Sequence, residues 1–468
     1  MSSATGLLNV ETRCFLIFNG LFLLQKNKEV DDMRFKKSAL VCVAVAAALS
    51  CTVSAADMKW KFDETTSTVS VRGYGMINDA TALNQYLDKA KTIDVLEGVT
   101  KIDKNVFVDC GEVEEVILPN GFTDIGDNSF SLSGSLKKVV MPDTLKKIGS
   151  EAFMGCSALE DFTLPKSLES IGRNAFAECE SIKEFKISDE NANFKVVDGV
   201  VLTKDGSELV LYPPGAESET YTVPDGVTKI NSGAFSYNEN LSEIIIPDST
   251  VQIDDYAFFF AKALHKVQFG SQIKSIGNYS FYGTKLRGAQ IPYGTESIGD
   301  YAFKNCDALS NIDIPGTVKQ IGENAFYGTA DNFVLNGFGA AAAEAAAKEG
   351  KAFRETVRVN INGENQEFDT PPIVKNGCTM LPMRKVFEVL GAEVTWDDAT
   401  QTAFGKKGDI ECSVTIGSDK LYKNGEAIKL DAPAEIINDR TLVHIRAVAE
   451  AFDAKVGWDD KGLVTVDY

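Results

Sequence analysis

Only two histidines, His265 and His444, occur among 468 residues, and they lie far apart in the chain. A metal centre built on several imidazoles needs more convergent material than that, as do most Ser/His or Cys/His nucleophilic machines. No segment has the spacing of an EF-hand, a P-loop or a nucleophile elbow. The sequence therefore assigns no catalytic residue, no metal ligand and no cofactor. Two i,i+4 pairs, Arg384/Glu388 and Arg446/Glu450, could capture a ligand, but a helix-surface or domain-core ion pair is the commoner use of that spacing. Trp396-Asp397-Asp398 and Trp458-Asp459-Asp460 could present carboxylates to a cation; a strand end closed by an Asp turn is the simpler reading. Acidic residues outnumber basic ones by 67 to 47, a formal charge of -20. A field of that sign opposes binding to nucleic acid, and no basic run offsets it.

The elements around these groups are set by a repeat. The pattern Ile-(Gly/Asp/Asn)-x-x-(Ala/Ser)-Phe, with Val106 before the phenylalanine in the first copy, recurs from Ile102, Ile125, Ile148, Ile171, Ile230, Ile253, Ile276, Ile298 and Ile321, at spacings of 23, 23, 23, 59, 23, 23, 22 and 23. Five residues after each isoleucine stands Phe107, Phe130, Phe153, Phe176, Phe235, Phe258, Phe281, Phe303 or Phe326. A proline precedes most of the isoleucines by six residues, and a short β-prone segment such as Val116-Ile117-Leu118 precedes the proline. Alternation puts residues 116 and 118 on one face and 117 on the other, and the proline ends the strand for want of an N–H. One 23-residue unit cannot bury its apolar face alone, whereas stacked units share a continuous core. A rung-by-rung phenylalanine column is the expected stabiliser.

Three residues beyond the phenylalanine stand Cys110, Cys156, Cys179 and Cys306; other copies place Ser, Thr, Asn or Ala there. That interchange favours a ladder of small side chains over disulfides, although Cys156 and Cys179, in adjacent rungs, could still pair. The pairing state of Cys378 and Cys412 is likewise open. The 59-residue spacing holds one rung plus a hairpin insertion near 188–222, with a turn at Lys204-Asp205-Gly206. The alanine-rich stretch 338–353 predicts a short helix stopped by Gly350, capping the last open rung. Residues 57–93, with Trp60, Phe62, Val69 and Val71, are the opposite cap.

At the amino end, residues 33–56 have the layout of a signal peptide: Arg34, Lys36 and Lys37, then an apolar run from Ser38 to Ser50, then Val53-Ser54-Ala55 for cleavage. Met33 is the expected start, and 1–32 reads as an over-extended one. Cys51 leaves lipoprotein processing open. The apolar run is too short to span a bilayer comfortably, and no later one is long enough. No sorting-type tail follows Tyr468, so covalent wall attachment is not expected.

The rung pattern, the hairpin ending in Tyr212-Pro213-Pro214-Gly215 and the alanine-rich end helix together resemble the BspA-like bacterial leucine-rich repeats over roughly residues 60–353. Residues 354–468 hold a second repeat at an offset of 62. Pro371, Asn376, Thr379, Arg384, Glu388 and Trp396 match Pro433, Asn438, Thr441, Arg446, Glu450 and Trp458. Each copy predicts a turn, a helix (Arg384 to Leu390; Arg446 to Phe452) and a strand ending at Trp, preceded by a strand and hairpin at Val357 to Gly363. This tandem pattern resembles the copper amine oxidase N-terminal-like, or stalk, domain. The resemblance implies a spacer or wall-associated module and no oxidase chemistry, since the copper and quinone site belongs to another domain of that enzyme. His444 stands where the first copy has Pro382, and one imidazole without partners cannot hold copper.

The expected fold is thus mainly β. A leucine-rich-repeat solenoid (94–353) with a short C-terminal cap helix is followed by a small α+β domain of two tandem repeats (354–468). Its candidate sites are surfaces. Tyr256, Tyr279 and Tyr301, with Phe259, Tyr282 and Tyr327, are expected to form an exposed aromatic strip. The outer sheet positions Ile117, Val140, Thr163, Thr222, Ile245, Gln268, Gln290 and Asp313 form a second candidate face. The resemblance implies secretion or surface attachment and adhesion, which points to a non-enzymatic exported recognition protein with protein or glycan partners. The alternatives are a structural envelope component without a ligand, or an accessory module of an exported hydrolase.

Overall fold

The computed structural model describes residues 58–468 except 84, 87, 161, 367, 369–371, 376, 438, 439 and 461. The start expected at 1–32, the leader at 33–56 and the repeat-matched Pro371, Asn376 and Asn438 lie outside the described residues. Two compact units divide the chain. One reaches Ser218 and takes in Asn231–Asn240; the other comprises Glu219–Ile230 and Leu241–Tyr468.

In the first unit an antiparallel hairpin, Lys59–Asp63 with Thr68–Arg72, opens the stack. Its second strand runs parallel to Thr92–Val95, which pairs with Glu115–Ile117, and that with Lys138–Val140. Val69 and Val71 are buried, as expected of a cap. A second parallel ladder joins Val99–Ile102, Asp124–Ile125, Lys147–Ile148 and Ser170–Ile171. Between the ladders Phe107, Phe130, Phe153 and Phe176 stack with centroids 5.4 Å apart and planes within 13°. That distance is the rung spacing of the strands plus a lateral offset, the arrangement aromatic quadrupoles favour. The insertion is a three-stranded antiparallel meander of Phe194–Val197, Val200–Thr203 and Glu208–Leu211.

The second unit repeats the plan. Thr220–Thr222, Glu243–Ile245 and Lys266–Gln268, then Gly288–Gln290, Asn311–Ile314, Val334–Gly337 and Ala352–Glu355, form the parallel pairs of the outer strands, and Lys229–Ile230, Gln252–Ile253, Ser275–Ile276, Ser297–Ile298 and Gln320–Ile321 form the second ladder. Phe258, Phe281, Phe303 and Phe326 stack at 4.9–5.9 Å.

Each rung turns through two left-handed residues, three and seven places after the isoleucine. All nine copies obey this, from Asn105 and Asp109 to Asn324 and Gly328. Asn and Gly fill half of these places because an L side chain otherwise meets its own carbonyl there. The intervening amides make a ladder of their own. Asn105, Phe107 and Asp109 donate to the carbonyls of Asp127, Ser129 and Ser131 in the next rung, at 2.8–2.9 Å. One place past the isoleucine the rungs nearly touch: a Cβ on Gly277 would lie 2.5 Å from the Asp254 carbonyl carbon.

Helix α1 (Ala340–Lys348) buries Ala342, Ala345 and Ala346, and Gly350 follows it at φ 63°. The Glu349 carboxylate accepts the amide of Phe326 at 3.0 Å. In the preceding rungs that amide's counterparts donate to a backbone carbonyl: Phe303 to Ala325, Phe281 to Ala302. The cap thus supplies a side-chain oxygen where the next rung's carbonyl would be.

After residue 356 the period changes. Helices α2 (Met383–Val389) and α3 (Ile445–Ala451) pack Phe387 against Phe452. They cover a core that includes Leu381, Val386, Val414, Val443 and Val448. The two copies meet through antiparallel strands, Cys378–Pro382 with Arg440–His444, in the register Met380↔His444. A five-stranded antiparallel meander runs from Glu393 to Lys429. Among the described residues no helix is long and apolar enough to cross a membrane.

Candidate binding surfaces

Tyr256, Tyr279 and Tyr301 each occupy the first left-handed place of their rung, with φ of 61°, 54° and 58°. A bulky aromatic residue is costly there, on the order of 1–3 kcal/mol each. Their rings stack at 5.0 and 4.7 Å. Lys304 closes the end of the column, its ammonium 4.7 Å from the Tyr301 ring and 5.2 Å from Tyr327. Burial, reinforced by Tyr256, Tyr301 and the nearby acids, pushes the Tyr279 hydroxyl up to about 12, so it remains a donor at neutral pH.

The expected strip is corrected at two positions. Phe259 and Tyr282 are buried, at 2% and 3% exposure. Each follows directly on an inward phenylalanine, and the second left-handed residue of the turn has not yet brought the chain out. Phe259 packs edge-on to Tyr256 and stacks on Tyr282, and Tyr282 accepts a hydrogen bond from Asn305. They form the bed on which the half-buried tyrosines rest. Tyr327 is exposed.

Each tyrosine directly follows a residue lining an open groove of about 970 Å³. Its walls carry Asp254, Asp255, Asp300, Glu323, Glu344 and Glu349 against Lys319 and Lys348. Several of these groups are already engaged. Asp255 accepts the amide of Asn278, Asn278 that of Asp300, and Asp300 that of Glu323, at 2.6–2.7 Å. The net field is nonetheless acidic. The sequence carries this groove only as a polar residue two places after the isoleucine, Asp255, Asn278, Asp300 and Glu323, a signal visible once the rungs are superposed.

On the outer sheets Val140 and Thr163 in the first unit, and Thr222, Gln268 and Gln290 in the second, are exposed, while Ile117 and Ile245 are half-buried. Asp313 departs from that reading. It accepts a 2.8 Å hydrogen bond from Asn336 and faces the half-buried guanidinium of Arg358, whose Nη2 donates to the carbonyl of Ile291. It belongs to the seam where the last rungs meet the α+β domain. In that seam Tyr293 also donates to Asp459, and Phe338 packs edge-on to Trp458. His265 is half-buried beside Glu243.

In the α+β domain Trp396-Asp397-Asp398 closes a turn: Asp397 accepts the amide of Ala399, and the Trp396 indole donates to Asp398. Arg384, Glu388, Arg446 and Glu450 are exposed, and neither expected pair closes an ion bridge among the described residues. His444 is not alone. Its ring is buried at 6% exposure, and the thiol of Cys378 and a carboxylate oxygen of Asp431 gather around it, each donor atom within 4.8 Å of the others. Burial lowers the His444 pKa and raises that of Cys378. The cysteines of the repeats behave as ladder residues: Cys156, Cys179 and Cys306 are buried free thiols directed at the carbonyls of Phe130, Phe153 and Phe281.

Rungs of this kind, with faces open to solvent, define a leucine-rich-repeat fold. Residues 82–196 and 215–332, in six copies, match the BspA type leucine rich repeat region family, and residues 360–466 match the Copper amine oxidase N-terminal domain family. That second domain is not catalytic. A curated protein named "Protease inhibitor", from Brevibacillus choshinensis, is 32% identical over 116 residues; the match spans 23% of this chain and about a third of that protein. The fold is similar to the pneumococcal vaccine antigen PcpA, at 22% identity and TM-score 0.49 over 63% of this chain and 81% of that one. It is also similar to a leucine rich cell surface protein from Faecalibacterium prausnitzii A2-165, at 20% identity and TM-score 0.43 over 64% and 98%.

Proposed function

We propose that the chain is an exported, non-enzymatic recognition protein whose repeats bind a protein surface and whose α+β domain spaces or anchors them. The observation that carries this is the tyrosine column beside the acidic groove. Three aromatic residues stand where the backbone prefers Asn or Gly, so local folding preference does not explain them, and retained strain of this kind marks binding sites. Ring faces inside the column are taken by neighbouring rings. What it offers outward is edges and hydroxyls, which suits hydrogen bonding to a polypeptide better than stacking under a sugar. The groove's carboxylates favour a partner bearing Lys or Arg and give the association a salt dependence. Surface retention follows from the leader read at 33–56 together with the repeat family.

The test is binding of the mature chain to host matrix proteins, matrix glycans and bacterial wall material, with a Tyr256→Ser/Tyr279→Ser/Tyr301→Ser variant alongside. Protein binding weakened tenfold or more in the folded variant, and weakened by added salt in the parent, is the expected result. Undiminished binding by the folded variant removes the column from the site, and selective retention on glycans reverses the choice of partner.

A further inference from the structure

Cys378, Asp431 and His444 come from three separate stretches of the α+β domain. Cys378 opens the central strand of the first tandem copy, and His444 closes the matching strand of the second. Asp431 lies in the segment leading into that second strand. The copies differ at just these places: the partner of Cys378 in the repeat is Arg440, and the partner of His444 is Pro382. In the antiparallel register Met380 faces His444, so Cys378, Met380 and His444 share one face of the sheet. That face is turned away from the main core. It is walled by the apolar residues Met380, Ala432, Leu442 and Ile373.

The His444 Nδ1 atom is buried and has no hydrogen-bond partner. An orphaned buried nitrogen is costly in a folded protein and calls for an occupant. The Asp431 carboxylate lies 3.9 Å from it, and a ring nitrogen of His444, a carboxylate oxygen of Asp431 and the Cys378 thiol lie within 4.8 Å of one another. A nucleophilic relay would set thiol and carboxylate at opposite nitrogens of the ring, too far apart to meet. Here sulfur and carboxylate also lie within 4.8 Å of each other, so the three atoms converge on one point.

We propose that Cys378, Asp431 and His444 form a binding site for a zinc-type divalent cation that ties the two tandem copies together. One sulfur, one nitrogen and one oxygen donor suit zinc, whereas magnesium and calcium take oxygen alone. Tetrahedral coordination at ordinary bond lengths sets such donors roughly 3.5 Å apart. The metal therefore draws the present cluster in by about an ångström, which the exposed Asp431 side chain can supply. Binding releases the thiol proton of Cys378 to solvent, and water completes the fourth position beside Asp431. The site shares no residue with the tyrosine column, so it stands or falls apart from the proposed function.

The test is titration of the metal-free mature chain with zinc chloride in competition with a chromogenic chelator, together with the thermal midpoint of the α+β domain. Cobalt substitution reports on the thiolate. The expected result is one saturable equivalent, a raised midpoint and a cobalt–thiolate absorption band. Apparent affinity should fall tenfold or more in Asp431→Asn, His444→Ala and Cys378→Ser, and the band should vanish in the last. Asp431→Asn alters an exposed residue and keeps the test open should a buried variant misfold. No saturable equivalent, a site that survives Asp431→Asn together with Cys378→Ser, or saturation by copper with zinc excluded overturns the assignment.

Discussion

The solenoid and the α+β domain bury phenylalanine by opposite means. In the repeats Phe153 touches the same residue type above and below, Phe130 and Phe176, each at 5.4 Å. In the α+β domain Phe387 meets one partner, Phe452, edge-on across two helices, and the rest of its surroundings come from many sequence positions. The first environment is periodic and is written nine times; the second is written once. A periodic core tolerates local damage because each rung leans only on its neighbours. A single globular core fails as a whole.

The sharpest test of that contrast is a pair of truncations. Phe176→Ala and Phe387→Ala should each cost about 3–5 kcal/mol, since both rings are fully buried. Hydrogen exchange should confine the first loss to the rungs around residues 153–185 and spread the second through residues 357–468. Equal spreading in both would erase the distinction.

A smaller effect is expected at the cap. Glu349→Ala leaves the Phe326 amide without its acceptor and should cost roughly 1–3 kcal/mol, read from the solenoid transition. The sign with pH is informative. Burial raises the Glu349 pKa above the ordinary Glu value, against the opposing pull of the Phe326 amide. Ionising it therefore costs the folded state: the penalty is absent below the ordinary value, grows as pH rises through the raised one and is complete above it. Glu349→Gln should remove that dependence, and an unchanged pH profile would contradict it.

Tyr279→Asn restores the residue type that Asn105, Asn128, Asn174 and Asn324 show at the same place. Relief of left-handed strain should offset the lost stacking, leaving stability within about 1 kcal/mol while partner binding falls. The smallest effect is expected for Lys146→Ala. It breaks an exposed rung-to-rung ion pair with Glu169 at 2.8 Å, which solvent and salt screen, so the thermal midpoint should not move measurably at physiological salt.

What was legible in the sequence follows the same division. Repetition makes the isoleucine and phenylalanine positions and the cysteine ladder readable, whereas the insertion reads as a hairpin where the structure has a three-stranded meander, and alanine content rather than repetition points to the end helix. The tandem copies in 354–468 gave both helices to within one residue. The left-handed places were missed although Asn and Gly mark them, because Tyr256, Tyr279 and Tyr301 read as surface aromatics first. Phe259 and Tyr282 read as exposed beside the stacked tyrosines, because the repeat pattern does not show that the chain turns outward only at the second left-handed residue. Asp313 was assigned to open sheet because no repeat pattern contains Arg358, which reaches it from the next domain. The gathering of Cys378, Asp431 and His444 depends on strand register between copies, and register is a tertiary fact that a one-dimensional pattern does not carry.

A stack of parallel rungs has no natural end: every last rung is a template for another, and a neighbouring molecule can supply it. The Glu349 carboxylate, by impersonating a backbone oxygen, satisfies the Phe326 amide with chemistry that offers nothing further to copy. It acts as a chain terminator in the polymer sense for this one amide ladder, while the outer ladder is carried a strand further by Ala352–Glu355.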